Sequence, residues 1–149
     1  MKKSVKAPRP TPVLQRFWSI EHLPGLDAQE QKTLLECGIE TTLDLLRRTS
    51  TPERKRSLSA QLHIHLQHIH KWAALADLAR IPAVGCQYCG LLLHTGIVSP
   101  EQLAQTPLQT LHKMILRFYV THLRRQDLCP SQEQLARWIQ QARELSGLT

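Results

Sequence analysis

Apolar and polar positions recur along this chain at helical spacing, and one such arrangement occurs twice. Residues 20 to 46 and 78 to 104 each carry a proline after a large aliphatic residue, Leu23-Pro24 and Ile81-Pro82. A turn of two or three residues then leads into an apolar helical stretch, closed by a Gly-Ile pair (Gly38-Ile39, Gly96-Ile97). Proline and glycine are 14 residues apart in both, so an offset of 58 lays Leu26 on Val84, Leu34 on Leu92, Thr41 on Ser99 and Leu45 on Leu103. A fixed internal offset of this kind marks a duplicated structural unit.

Start and stop signals divide the chain into helices. Asp27 with Glu30 has capping-box spacing and opens a helix that carries Leu34 and Leu35 and stops at Gly38. Thr41 with Asp44 repeats the spacing and starts a short helix over residues 42 to 48. Thr51-Pro52 starts a third, with proline where its missing N–H costs nothing. Leu58, Leu62, Leu66 and Ile69 then recur every three or four residues, which predicts one connector helix to residue 70. Lys71 to Ala79 continues it, after a slight break, with Trp72, Leu75 and Leu78 on one side.

The second turn, Pro82 to Gly85, precedes a helix from about Cys86 to His94. Ser99-Pro100 opens a short helix that ends near Gln105, and Thr106-Pro107 opens the next, with Leu108, Leu111, Ile115, Phe118 and Tyr119 as its apolar stripe. Residues 124 to 130 are a connection. Ser131 caps a last helix bearing Leu135, Trp138, Ile139, Ala142 and Leu145, expected to pack back across the repeats. No run alternates Val, Ile and Thr, so no sheet is expected and the fold class is all-α. Trp18, Trp72 and Trp138 stand in register with aliphatic neighbours, which favours core packing over base stacking.

A chain of 149 residues with 42% apolar content forms one modest core or two small halves packed together. It has no apolar run of membrane-spanning length, and the pattern points to a cytoplasmic protein. The net charge of +7 is concentrated at one end. Residues 1 to 16 hold Lys2, Lys3, Lys6, Arg9 and Arg16 with no acid, and Pro8, Pro10 and Pro12 predict an extended tail that attracts polyanions or merely solubilises. The expected division is thus a basic tail over 1–16, a first unit with its connector over 17–70, and a second unit with the final helix over 71–149.

The Leu-Pro-Gly-Leu turn at 23–26 and the Ile-Pro-Ala-Val-Gly turn at 81–85 resemble the helix-hairpin-helix motif, in which a glycine-rich turn presents backbone N–H groups to a DNA phosphate. Residues 25–46, GLDAQEQKTLLECGIETTLDLL, are similar to the small helical N-terminal domain of archaeal and eukaryotic strand-exchange recombinases. From about 17 to 146, including WAALADLARIPAVG and the final helix with Trp138-Ile139, the chain resembles a largely bacterial and cyanobacterial family of tandem helix-hairpin-helix-like proteins, domain of unknown function 4332. The resemblance implies tandem, SAM-domain-like helix-hairpin-helix repeats and backbone contacts to phosphate.

Each turn keeps one glycine of the motif's pair. The first has Gly25 but Asp27 at the second position, where a carboxylate repels phosphate and occupies free N–H groups. The second has Gly85 with Ala83 at the first position, a milder departure, so residues 82–86, with Cys86 at the helix start and Arg80 beside them, are the better phosphate site. Arg47, Arg48, Arg54, Lys55 and Arg56 form the densest basic patch, and Lys113, Arg117, Arg124 and Arg125 a second. The competing reading makes both turns purely structural, since geometry alone explains glycine in a tight turn.

Cys86 and Cys89 form a C-x-x-C at a helix start, where the dipole is expected to lower the Cys86 pKa. With Cys129 they are candidate zinc or iron-sulfur ligands, but the spacing fits no compact finger, and partly buried thiols are the plainer reading. His63, His65, His68 and His70 make a polar, protonatable helix face. No catalytic constellation, phosphate loop or cofactor motif is present, so neither an enzyme nor a small-molecule substrate is expected. The leading expectation is non-enzymatic, sequence-nonspecific binding of nucleic acid, DNA before RNA. The rival is a helical adaptor for a protein partner, in a photosynthetic or regulatory assembly.

Overall fold

The computed structural model describes residues 15–147; Lys2, Lys3, Lys6 and Arg9, and with them most of the expected basic tail, lie outside the described residues. Eight α-helices follow in order: α1 (Ala28–Glu36), α2 (Thr42–Arg48), α3 (Pro52–Leu62), α4 (Leu66–Ala79), α5 (Gly85–His94), α6 (Pro100–Gln105), α7 (Leu108–Phe118) and α8 (Gln132–Leu145). Local signals set most of their starts. Asp27 accepts from Glu30 N at 2.7 Å while Glu30 Oε1 accepts from Asp27 N at 3.0 Å, a complete capping box, and Thr41 with Asp44 forms another. The hydroxyls of Thr51, Ser99 and Ser131 cap α3, α6 and α8. Each such cap contributes about 1 kcal/mol by satisfying an orphan N–H. The fold is all-α, and among the described residues an isolated bridge between Ser19 and Thr41 is the nearest approach to a sheet.

The expected single connector helix is two. His63 takes a left-handed conformation at φ 56°, Ile64 N turns back to Ser59 O at 3.1 Å, and His65 Nδ1 accepts from Gln67 N at 3.1 Å to cap α4. Apolar spacing conceals this break, because Leu62, Ile64 and Leu66 all still pack against the core. The helix runs on unbroken through residues 70 and 71 instead. A smaller difference concerns Pro107, which is the N-cap of α7 and not its first helical residue.

Helix α4 lies at the centre. Trp72, Leu75 and Leu78 are buried, and the helix packs against α2, α3 and α5. One cluster of buried side chains runs from Ile20, Leu34 and Leu45 through α4 to Leu92, Leu103, Ile115 and Trp138. The last helix makes its largest contacts with α6 and α7. Trp72 and Trp138 are fully buried, whereas Trp18 is half-buried and donates its indole N–H to Ala79 O at 2.8 Å. Both Gly-Ile pairs close their helices alike: Gly38 and Gly96 have φ 89° and 99°, and Ile39 N and Ile97 N donate back to Leu34 O and Leu92 O. This is the backbone reversal for which glycine is favoured after a helix.

Candidate nucleic-acid interface

The first turn is short. Leu23 N donates to Ile20 O at 3.1 Å, Pro24 follows, and Gly25 reverses the chain at φ 84°. Gly25 is exposed and lies over α4, where a Cβ at this position would sit 3.4 Å from Leu75 Cδ1. The Asp27 carboxylate is spent on capping α1, as its capping-box spacing requires.

In the second turn the amides already have acceptors. Val84 N and Gly85 N both donate to Ile81 O, at 2.9 and 2.8 Å, and Ala83 N donates to Gln141 Oε1 of α8 at 2.7 Å. Gly85 has φ 54°, and a Cβ there would lie 3.0 Å from Trp18 Cζ2. A phosphate oxygen at Ala83 N must therefore displace Gln141. Gln141→Leu is expected to cost about 1–2 kcal/mol, the penalty for stranding a half-buried amide, measured by urea unfolding.

The arginines divide by their partners. Arg80 pairs with Asp77 at 2.8 Å, donates to Gln15 Oε1 at 2.7 Å, and accepts the backbone N–H of Arg16 at its own carbonyl. It ties down the entering chain at Gln15 and Arg16, two residues within the stretch expected to be tail. Burial pushes the Asp77 carboxyl above its ordinary range, against the pull of Arg80. Arg48 is also committed, reaching Cys37 O at 3.2 Å and Gln61 Oε1 at 2.8 Å.

Arg47, Arg54 and Arg56 remain exposed at the elbow between α2 and α3. Arg54 Nη1 donates to Arg47 O at 2.8 Å, capping the C-terminus of α2, where a cation is electrostatically favoured. Arg56 makes a loose pair with Glu53 at 3.6 Å between two well-exposed side chains, of the kind that contributes little to stability. Lys55 faces the other way, into a groove shared with His70 and Asp77. In the second basic group, Arg125 is paired with Asp127 at 3.0 Å.

The thiols are buried or partly buried, and the expected lowering of the Cys86 pKa is reversed. Burial raises Cys86 to about 11, the opposite of the lowering expected from its place at a helix start. Cys89 is raised to about 12, by burial first and then by the neighbouring Cys86. Burial also raises Cys129. Among the described residues no group of three or more His, Cys, Asp or Glu is gathered as metal ligands require. A thiol moved from about 9 to about 11 has, at pH 8, about a hundredth of the thiolate, and higher nucleophilicity returns about half of that loss on a logarithmic scale. Cys86 is thus expected to react with iodoacetamide about tenfold more slowly in the folded protein than in urea.

Two contributors escape a local reading. Gln141 carries no motif, and its acceptor role depends on α8 meeting a turn 58 residues away. Trp18 reads as core but covers Gly85 and stacks beneath Arg16, whose guanidinium carbon is 4.4 Å from the ring centre.

The described residues define an all-α protein with two tight proline turns and one exposed arginine elbow, and no helix among them is long and apolar enough to cross a membrane. The chain belongs to the family described as Domain of unknown function (DUF4332), whose model matches residues 24–145. No curated protein and no solved structure matches it.

Proposed function

We propose that the protein is a non-enzymatic, cytoplasmic nucleic-acid binder without sequence preference, favouring DNA over RNA, and that side-chain cations, more than turn amides, make the contact. The observation that carries this reading is the α2–α3 elbow, where Arg47, Arg54 and Arg56 stand exposed, with Glu53 beside Arg56 and the Asp44 carboxylate near enough to feel the charge of Arg47. Guanidinium groups suit phosphate because they donate in a planar fork. We read the scaffold as a duplicated helix-hairpin-helix-like unit: α1, α2 and α3 start within two residues of the offset of 58 from α5, α6 and α7. In this reading the turns keep the motif's shape while Gln141 and Asp27 occupy part of its donor set.

The second reading is an adaptor for a protein partner. It is favoured by the internally satisfied amides and by Val120, Leu123 and Leu128, each about half exposed. Fluorescence anisotropy with labelled duplex and single-stranded DNA at two salt concentrations separates the two. The comparison variant lacks residues 1–14, which preserves the Arg16 bond to Arg80. Binding with Kd of about 1–100 µM that weakens steeply with salt and survives the truncation supports the DNA reading. Absent binding, or binding lost with the tail, transfers the function to the adaptor reading.

A further inference from the structure

A cleft of about 270 Å³ opens where the first turn meets α4 and α5. Its apolar surface comes from Pro24, Leu75 and Leu93. Its charge comes from one side: Lys71 and His94 line it, with no Asp or Glu among its lining residues. The Lys71 ammonium is 3.9 Å from where a Cβ would stand on Gly25, so the cation lies beside the turn. His94 is braced from behind by Phe118, stacked at 5.7 Å between ring centres, and Phe118 is braced by His122 at 4.9 Å.

Gly90 also lines this cleft, and it is the informative residue. It stands in the middle of α5, where glycine costs about 1 kcal/mol relative to alanine. Packing does not require it: its φ is not in the left-handed region, and a Cβ there would meet Pro24 Cγ alone within 4 Å, at an ordinary 3.7 Å. Alanine would fit and favour the helix. What glycine preserves is the open space beside Pro24.

We propose that this cleft binds a small apolar monocarboxylate, with the hydrocarbon against Leu75 and Leu93 and the carboxylate shared by the Lys71 ammonium and a His94 ring N–H. The volume lies just below the range of about 300–1,000 Å³ usual for small-molecule sites, which limits the ligand to a short chain or a single ring. One ammonium and one imidazole match a single negative charge. The site shares no residue with the arginine elbow, so it stands whether or not nucleic acid binds.

Octanoate is the probe, titrated into the full-length protein by calorimetry and by ¹⁵N-resolved NMR, with octan-1-ol as the uncharged control. Saturable one-to-one binding is expected, with shifts centred on Gly25, Gly90 and Leu93 and with octan-1-ol at least about tenfold weaker, the factor that 1.4 kcal/mol of charge interaction supplies. Lys71→Gln, a change at an exposed position, is expected to weaken octanoate by a similar factor and leave octan-1-ol unchanged. Gly90→Leu is expected to fill the cleft and abolish binding of both; Gly90→Ala, which the helix accepts, weakens both several-fold and guards against a folding defect in the leucine variant. Non-saturable binding, equal affinity for the two probes, or octanoate binding that ignores Lys71→Gln and Gly90→Ala would overturn the proposal.

Discussion

Arg47→Glu, Arg54→Glu and Arg56→Glu together are expected to lower duplex-DNA affinity at least about a hundredfold at low salt, because each phosphate contact contributes about 0.9 to the slope of log K against log salt. Removing three contacts should flatten that slope by roughly 2–3, and reversing the charges adds repulsion. The fold should survive. All three side chains are exposed, the Arg56 pair with Glu53 is loose, and the one structural bond at risk is Arg54 to Arg47 O, worth about 1 kcal/mol. Arg48 is left in place because its bonds to Cys37 O and Gln61 hold α1, α2 and α3 together. Anisotropy titrations at two salt concentrations give both affinity and slope. Unchanged affinity with an intact circular-dichroism spectrum would remove the elbow from the binding surface.

Gly85→Ala should be the most destabilising of the glycine substitutions. At φ 54° any side chain is strained, by about 1–2 kcal/mol. The added Cβ would also lie 3.0 Å from Trp18 Cζ2, and the indole is tethered by its bond to Ala79 O, so relieving the contact costs about 1–2 kcal/mol more. The combined loss of about 2–4 kcal/mol corresponds to a Tm lower by on the order of 10 °C in a chain of this size. Gly38→Ala provides the comparison: φ is 89°, but nothing lies within 4 Å of the new Cβ, so strain acts alone. Equal losses at the two positions would show that the Trp18 contact carries no weight. Trp18→Phe combined with Gly85→Ala should then restore nothing.

The helices were legible in the sequence wherever their determinants are local. Asp27 with Glu30, Thr41 with Asp44, Thr51-Pro52 and Ser99-Pro100 act over three residues, and each of these caps appears at its expected place, whereas Thr106-Pro107 starts its helix without a side-chain cap. The buried faces were legible from spacing, down to Trp72 and Trp138. The break at His63 was not, because neither glycine nor proline announces it and the apolar rhythm continues through Ile64. Cys86 shows a different limit. Its place at a helix start was readable, but whether dipole or burial controls a thiol depends on what packs around it. The candidate site was legible as a set of arginines and not as a division of labour. Arg80 and Arg48 look like surface cations in the sequence, and only the arrival of Asp77, Gln15, Cys37 O and Gln61 beside them reveals that they hold the fold.

The bond from Ala83 to Gln141 also orders events during synthesis. The turn at 82–85 is synthesised several seconds before its acceptor, since Gln141 follows Ala83 by 58 residues and chains grow at about 5–20 residues per second. For several seconds the nascent chain can bury Leu78, Ile81 and Val84 against the preceding helices while the Ala83 amide stays bonded to water. Arrival of α8 then brings Trp138 against Tyr88 and places the Gln141 carboxamide on that amide in one docking step. The second turn is therefore completed by a helix made 58 residues later, and not by its own neighbours in sequence.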